Sequence, residues 1–198
     1  MRIAEPEEIV RFWFEELSPK AWYGAPASVD AEITARFGET YEALKESVPP
    51  GWLDDPQAVL AAILVLDQFP RNMFRGAPQA FATDAQALAL SKRAIAEGLD
   101  MKLPPEKRCF VYIPFQHSED LAVQRRSLEL FTALGNPENL DFARRHEAII
   151  ARFGRFPHRN ENSRPGVDAG RRRVPEAAGL VVLNARYCTG ETASFSRR

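Results

Sequence analysis

The chain has 198 residues, 45% of them apolar, and its 26 Lys and Arg against 27 Asp and Glu leave a net charge of -1. That is enough apolar material for the core of one ordinary domain or two small ones. The near-neutral balance provides no global positive field for nucleic acid or an anionic membrane. The apolar run Val59–Leu66 is far short of the roughly 20 residues that span a bilayer. The N-terminal stretch MRIAEPEEIV turns acidic at once, with no apolar signal core. Two cysteines, Cys109 and Cys188, make neither a disulfide scaffold nor a metal-type spacing. The expectation is a cytoplasmic protein.

Apolar periodicity predicts helix almost continuously to residue 153. Pro6 suits the first turn of a helix carrying Ile9, Val10, Trp13, Phe14 and Leu17. A second helix is expected from about Val29 to Ser47, with Ile33, Phe37, Tyr41 and Leu44 on one stripe and Ser28 or Asp30 as its cap. Asp55 followed by Pro56 opens a third, through Val59, Leu60, Ile63 and Leu66 to Phe69. Being apolar nearly all round, it should be the buried central helix, and Pro70 should stop it. Thr83 or Asp84 caps a fourth that ends at Gly98. Pro104 and Pro105 start a fifth, with Cys109, Phe110 and Ile113, which Pro114 ends or kinks. Ser118 is placed to cap a sixth, ending at Gly135. Asn136 and Pro137 introduce a seventh, ending at Gly154. No alternating strand pattern appears. The expected fold is all-α, about seven helices in antiparallel hairpins.

From Asn162 onward periodicity disappears and Gly, Ser and Arg dominate. Residues 161–198 hold seven arginines against four acids, a charge of +3 that leaves -4 on residues 1–160. Two short segments echo one another: QFPRN at Gln68–Asn72 and RFPHRN at Arg155–Asn160. Each comes after a helix end.

Four motifs in order, LDQFPRNMFRG (Leu66–Gly76), AFATD (Ala80–Asp84), PFQHSEDL (Pro114–Leu121) and RFGRFPHRN (Arg152–Asn160), resemble a bacterial and fungal group, domain-of-unknown-function family 924. The resemblance covers about residues 5–161 and implies a tetratricopeptide-like helical domain over 1–161. Members of that family continue after the last motif with a segment like ILGRxSTPEExxFLxxPGSSF. Back-translating Asn162–Leu183 and reading one base forward permits that segment and then a stop codon. Residues 162–198 therefore read as a frameshift-derived tail, expected to be disordered. Resequencing of the gene tests this, since an in-frame reading through Leu183 without an indel would remove the idea.

The residues able to carry chemistry gather in the same motifs. Asp67 lies at the C-terminal end of the central helix, where the dipole disfavours a carboxylate, and on the inward stripe of Leu60 and Ile63. It needs a partner, and Arg71 or Arg159 offers fork geometry. Its role is either a buried salt bridge that locks the next loop or a ligand contact. Gln68, Arg71 and Asn72 surround Pro70. They either satisfy helix and turn carbonyls or place Arg71 in a cleft as an anion receptor. His117, Ser118, Glu119 and Asp120 form the densest polar group. Capping explains the last three, leaving His117 to orient a ligand, act as a base or bond a carbonyl. Arg155, His158 and Arg159 complete the candidate ligand-binding set. Convergence of His117, Glu119, His158 and Asp67 would suit a metal, but the chain has no HExxH, paired CxxC or His-rich run. No metal or cofactor is expected. There is no nucleophile elbow or Gly-rich phosphate loop, Cys109 reads as a small core residue, and His146 as surface or packing. Trp22, Tyr23 and Trp52 could wall a small-molecule cleft.

Three functions stand open. The leading one is binding of a peptide or small anionic ligand by Arg71, His117 and Arg159, by analogy with concave helical scaffolds. The second is a small hydrolase or metal-dependent enzyme using His117 or His158 as acid or base with Asp67. The third is a structural interaction domain whose polar corners staple the hairpins. Neither nucleic acid nor membrane is expected as a partner, and the oligomeric state is open.

Overall fold

Pro6 starts α1 (Pro6–Arg11), which passes without a break into a π-helical turn, Phe12–Glu16, closed by a bond from the Leu17 N–H to the Phe12 carbonyl. The computed structural model describes residues 2–24, 26–157 and 159. The expectations for His158, for the side chain of Tyr23 and for residues 162–198 lie outside these residues. A short helix, α2 (Ala21–Gly24), precedes α3 (Ala27–Glu46). The N-cap of α3 is Pro26 rather than Ser28 or Asp30. Asp30, in the first turn, instead accepts both an Arg75 fork at 2.8 Å and the Asn72 amide at 2.8 Å.

The central helix departs most from expectation. Asp55 caps α4 (Pro56–Ile63) by accepting the Gln57 and Ala58 N–H groups, as its sequence position predicts. Pro70 does not stop the helix, which widens into a π turn, Leu64–Gln68, and continues as α5 (Phe69–Met73). Two local adjustments make this possible. The Phe69 N–H reaches back five residues to the Leu64 carbonyl. Pro70 has no N–H for the Leu66 carbonyl, and the Thr83 hydroxyl donates to it at 2.5 Å instead. The helix therefore survives its proline because a residue from a later element replaces the lost bond.

Thr83 is the N-cap of α6 (Asp84–Ala96), yet its hydroxyl is committed to Leu66 and makes no cap bond. Pro105 opens α7 (Pro105–Gln116), which carries Pro114 in its interior rather than ending there. Asp120, not Ser118, caps α8 (Leu121–Leu134), accepting from Ala122 and Val123; Ser118 accepts the Asp120 N–H at 3.2 Å. Gly135 (φ 81°) closes α8 in the left-handed conformation that glycine adopts without strain. Asn136 and Pro137 then start α9 (Pro137–Phe153), which Gly154 ends in the same way.

The described residues form an all-α fold. α6, α7, α8 and α9 pack in chain order, each on the next, while α1, α6 and α7 cover α4, and α3 lies along α5 and the second π turn. Val59, Leu60, Ala61, Ala62, Leu64, Val65 and Leu66 are fully buried, as the all-round apolar pattern requires. Trp22 does not wall a cleft. It stacks on Trp13 with ring centroids 6.1 Å apart, donates its indole N–H to the Trp13 carbonyl and joins the main core, against which Trp52 also packs. Cys109 is buried and accepts the Asn139 amide at 3.4 Å. A separate, smaller apolar cluster of Ile149, Ile150 and Phe156, with Leu121 and Phe153 against it, sits where the chain leaves α9. Among the described residues no helix is long and apolar enough to cross a membrane.

Candidate functional site

Asp67 is carried by the second π turn, and the helix that continues through Pro70 keeps Gln68 and Arg71 close to it. The Gln68 amide donates to Asp67 Oδ2, and the Arg71 guanidinium donates to the Asp67 carbonyl. Asp67 Oδ1 lies 2.8 Å from His117 Nδ1, at the C-terminal end of α7. An ionised carboxylate only accepts, so His117 holds its proton on Nδ1 and turns Nε2 away from Asp67. Gln124 fixes the turn bearing His117, donating from Nε2 to the carbonyls of Gln116 at 2.7 Å and Ser118 at 2.6 Å.

Arg71 also grips Asp84: Nη1 is 2.9 Å from Oδ1 and Nη2 is 3.1 Å from Oδ2. Arg159 reaches the same carboxylate from the other end of the domain. Its Nη2 donates to Asp84 Oδ2 at 2.9 Å and to the His117 carbonyl at 2.9 Å, and its Nε lies 3.9 Å from Glu119. Glu119 in turn accepts the Phe156 N–H at 2.9 Å. Both guanidiniums stand over the Phe81 ring, Arg71 at 5.6 Å and Arg159 at 4.6 Å, and Arg159 is also 5.0 Å from the Phe156 centroid. His146 donates from Nδ1 to the Phe142 carbonyl, meets Phe156 edge-on, and has its ring centroid 6.4 Å from that of His117.

Side-chain exposure is graded across this network, from 1% at Asp67 and 5% at Arg71 through 8% at His117 and 15% at Asp84 to 20% at Arg159 and 38% at Glu119. Burial pushes the Asp67 carboxyl up, but the Arg71 guanidinium, the His117 imidazole and the hydrogen bonds from His117 and Gln68 outweigh it and hold the acid ionised, down to about 2. Burial pulls Arg159 down; Asp84 works against that, and Arg71 reinforces it.

The network unites Asp67, Gln68, Arg71, His117, Glu119 and Arg159 of the sequence-derived set. It does not include Asn72, which pins Asp30, or Asp120, which is spent as a cap. Arg155 is half-buried, with no ion-pair partner among the described residues. Arg71 is not an anion receptor facing a cleft, because its guanidinium serves Asp67 and Asp84. Asp84 escapes sequence reasoning as the shared acceptor because its place at a helix start reads equally well as dipole compensation. Phe81 lies in the AFATD motif, but nothing in the sequence marks its ring as the platform for two arginines, and Gln124 carries no sequence signal. Three carboxylates face two guanidiniums here, so the network has no excess positive charge to offer. Among the described residues no group of three or more His, Cys, Asp or Glu is arranged to hold a metal ion.

Residues 9–164 match the family described as "Bacterial protein of unknown function (DUF924)". The chain belongs to this family. The match stops close to where helical periodicity ends in the sequence. Among solved structures the chain is similar to the protein of unknown function ATU0120 from Agrobacterium tumefaciens. The two are 39% identical with a TM-score of 0.76, over 79% of this chain and 88% of that one. No curated protein matches the chain.

Proposed function

We propose that the chain is a binding domain for a peptide, built on hairpins stacked in the tetratricopeptide-like manner, with its site at the outer edge of the Asp67 network. The observation that supports this is the exposure gradient: Asp67 and Arg71 form a closed, mutually paired base, whereas Asp84, Arg159 and Glu119 reach solvent. A buried paired base orders the edge groups, which is what a recognition surface needs. The surplus of carboxylates favours a ligand that brings donors or positive charge over a small anion. Thermal-shift measurement distinguishes them, because a ligand of the native state raises its apparent stability. Basic peptides are expected to raise the midpoint, and inorganic phosphate or acetate at the same concentration to leave it unchanged. The converse result would restore the small-anion reading.

Acid–base chemistry at His117 has one observation in its favour, the 2.8 Å bond from Asp67 that fixes the imidazole tautomer. Titration of His117 by NMR in the parent and in Asp67→Asn checks it. Unchanged titration would remove Asp67 as the orienting group.

A further inference from the structure

The two echoed segments of the sequence meet at one receptor. In QFPRN, Phe69 enters the main core and Arg71 delivers its guanidinium to Asp84 and over Phe81. In RFPHRN, Phe156 enters the small cluster and Arg159 delivers its guanidinium to the same Asp84 and over the same Phe81. The first pair belongs to a helix that runs through the middle of the core. The second belongs to a segment beyond Gly154 that is attached as a bound peptide would be, by a backbone N–H on Glu119, an aromatic anchor beside His146 and an arginine on Asp84 and the His117 carbonyl. Without that segment the receptor would present Asp84, Glu119 and the face of Phe81 above Asp67, three carboxylates against the single guanidinium of Arg71.

We propose that Phe81, Asp84, the His117 carbonyl and Glu119, with His146, Ile149 and Ile150 beside them, form a receptor for a Phe-Pro-x-Arg segment, that the chain's own Phe156 and Arg159 fill it in cis, and that a basic peptide segment of a partner protein with the same spacing displaces them. The inference rests on the peptide-binding reading and names its ligand class. Charge decides the occupant, since the receptor carries net negative charge and the ligand an arginine. The phenylalanine supplies the apolar anchor, and its proline pre-orders the backbone. Tethering makes the internal copy a strong competitor, because a short linker corresponds to an effective concentration in the millimolar range.

The test uses the full chain and a fluorescent peptide of sequence GRFPHRN. The double variant Phe156→Ala with Arg159→Ala, which removes both anchors of the internal copy, is expected to bind the peptide at least tenfold more tightly than the parent chain. Replacing the peptide's phenylalanine or its last arginine with alanine should abolish binding. Adding Glu119→Gln or Asp84→Asn to the open variant should weaken binding at least tenfold. Because Asp84 also serves Arg71, circular dichroism must show the parental helix content, and Glu119→Gln provides a second reading that leaves the buried pairs intact. Equal affinity for parent and open variant, or indifference to the peptide's arginine, overturns the proposal. So does dimerisation of the open variant without peptide binding, which would make a second copy of the chain the occupant. Binding of an unrelated basic peptide but not GRFPHRN overturns this inference and leaves the peptide-binding reading standing. Binding of no peptide at all overturns both.

Discussion

Phe69–Arg71 and Phe156–Arg159 are two solutions to one problem, holding an arginine on Asp84, and they differ in what surrounds them. The first is built into a helix whose neighbours are fully buried, and Arg71 is itself 6% exposed. The second comes after α9, packs among the described residues on Ile149 and Ile150 with Leu121 and Phe153 alongside, and leaves Arg159 a fifth exposed. The same chemistry therefore acts as structure in one place and as a detachable contact in the other. What separates them is the amount of apolar surface behind the phenylalanine.

The largest effect that could break this contrast is at the base of the network. Asp67→Ala leaves Arg71 buried without one of its two carboxylates and His117 without its acceptor, and should cost about 3–5 kcal/mol in urea unfolding. A loss below about 1 kcal/mol, the range of an exposed pair, would show that the base is not closed. The same acid sets a pH dependence. Its pKa lies lower in the folded state than in the unfolded chain, so its contribution is present above about pH 4 and is lost as pH falls towards about 2. Unfolding of Asp67→Asn should be flatter across that range than unfolding of the parent.

Truncating the two phenylalanines sharpens the comparison. Phe69→Ala should cost about 3–5 kcal/mol, as large core deletions do. Phe156→Ala should cost less, about 2 kcal/mol, because its small cluster can collapse around the gap. Equal losses would mean that the C-terminal segment is as much a part of the core as the helix. The smallest effect is expected at Arg159→Ala, about 1 kcal/mol, since the side chain is partly exposed and Asp84 keeps Arg71. Its clearer readout is hydrogen exchange: the Phe156 amide should open well before those of α4, and sooner still in this variant.

Much of the helical architecture is legible because burial imposes a 3.6-residue period that substitution rarely hides, and because Asp55, Asn136, Gly135 and Gly154 sit at boundaries with one physical use each. The π turns are not legible. One inserted residue shifts the register without erasing the apolar run around Leu64, and nothing nearby announces it. Pro70 misleads for a related reason: its cost is local, whereas the compensating hydroxyl of Thr83 comes from another element. In the site, Asp67 and His117 stand out as polar residues on apolar stretches. Asp84 does not, because a carboxylate at a helix start has an ordinary explanation. Asn72 and Asp120 share only proximity along the chain with the network, and proximity says little about which way a side chain turns.

The bond between Thr83 and Leu66 also constrains the order of assembly. A fragment ending before residue 83 lacks the hydroxyl that Leu66 receives in place of the missing Pro70 N–H, so the helix beside Asp67 loses one of its supports. The polar centre thus gains its full support only once the polypeptide has returned to its own middle.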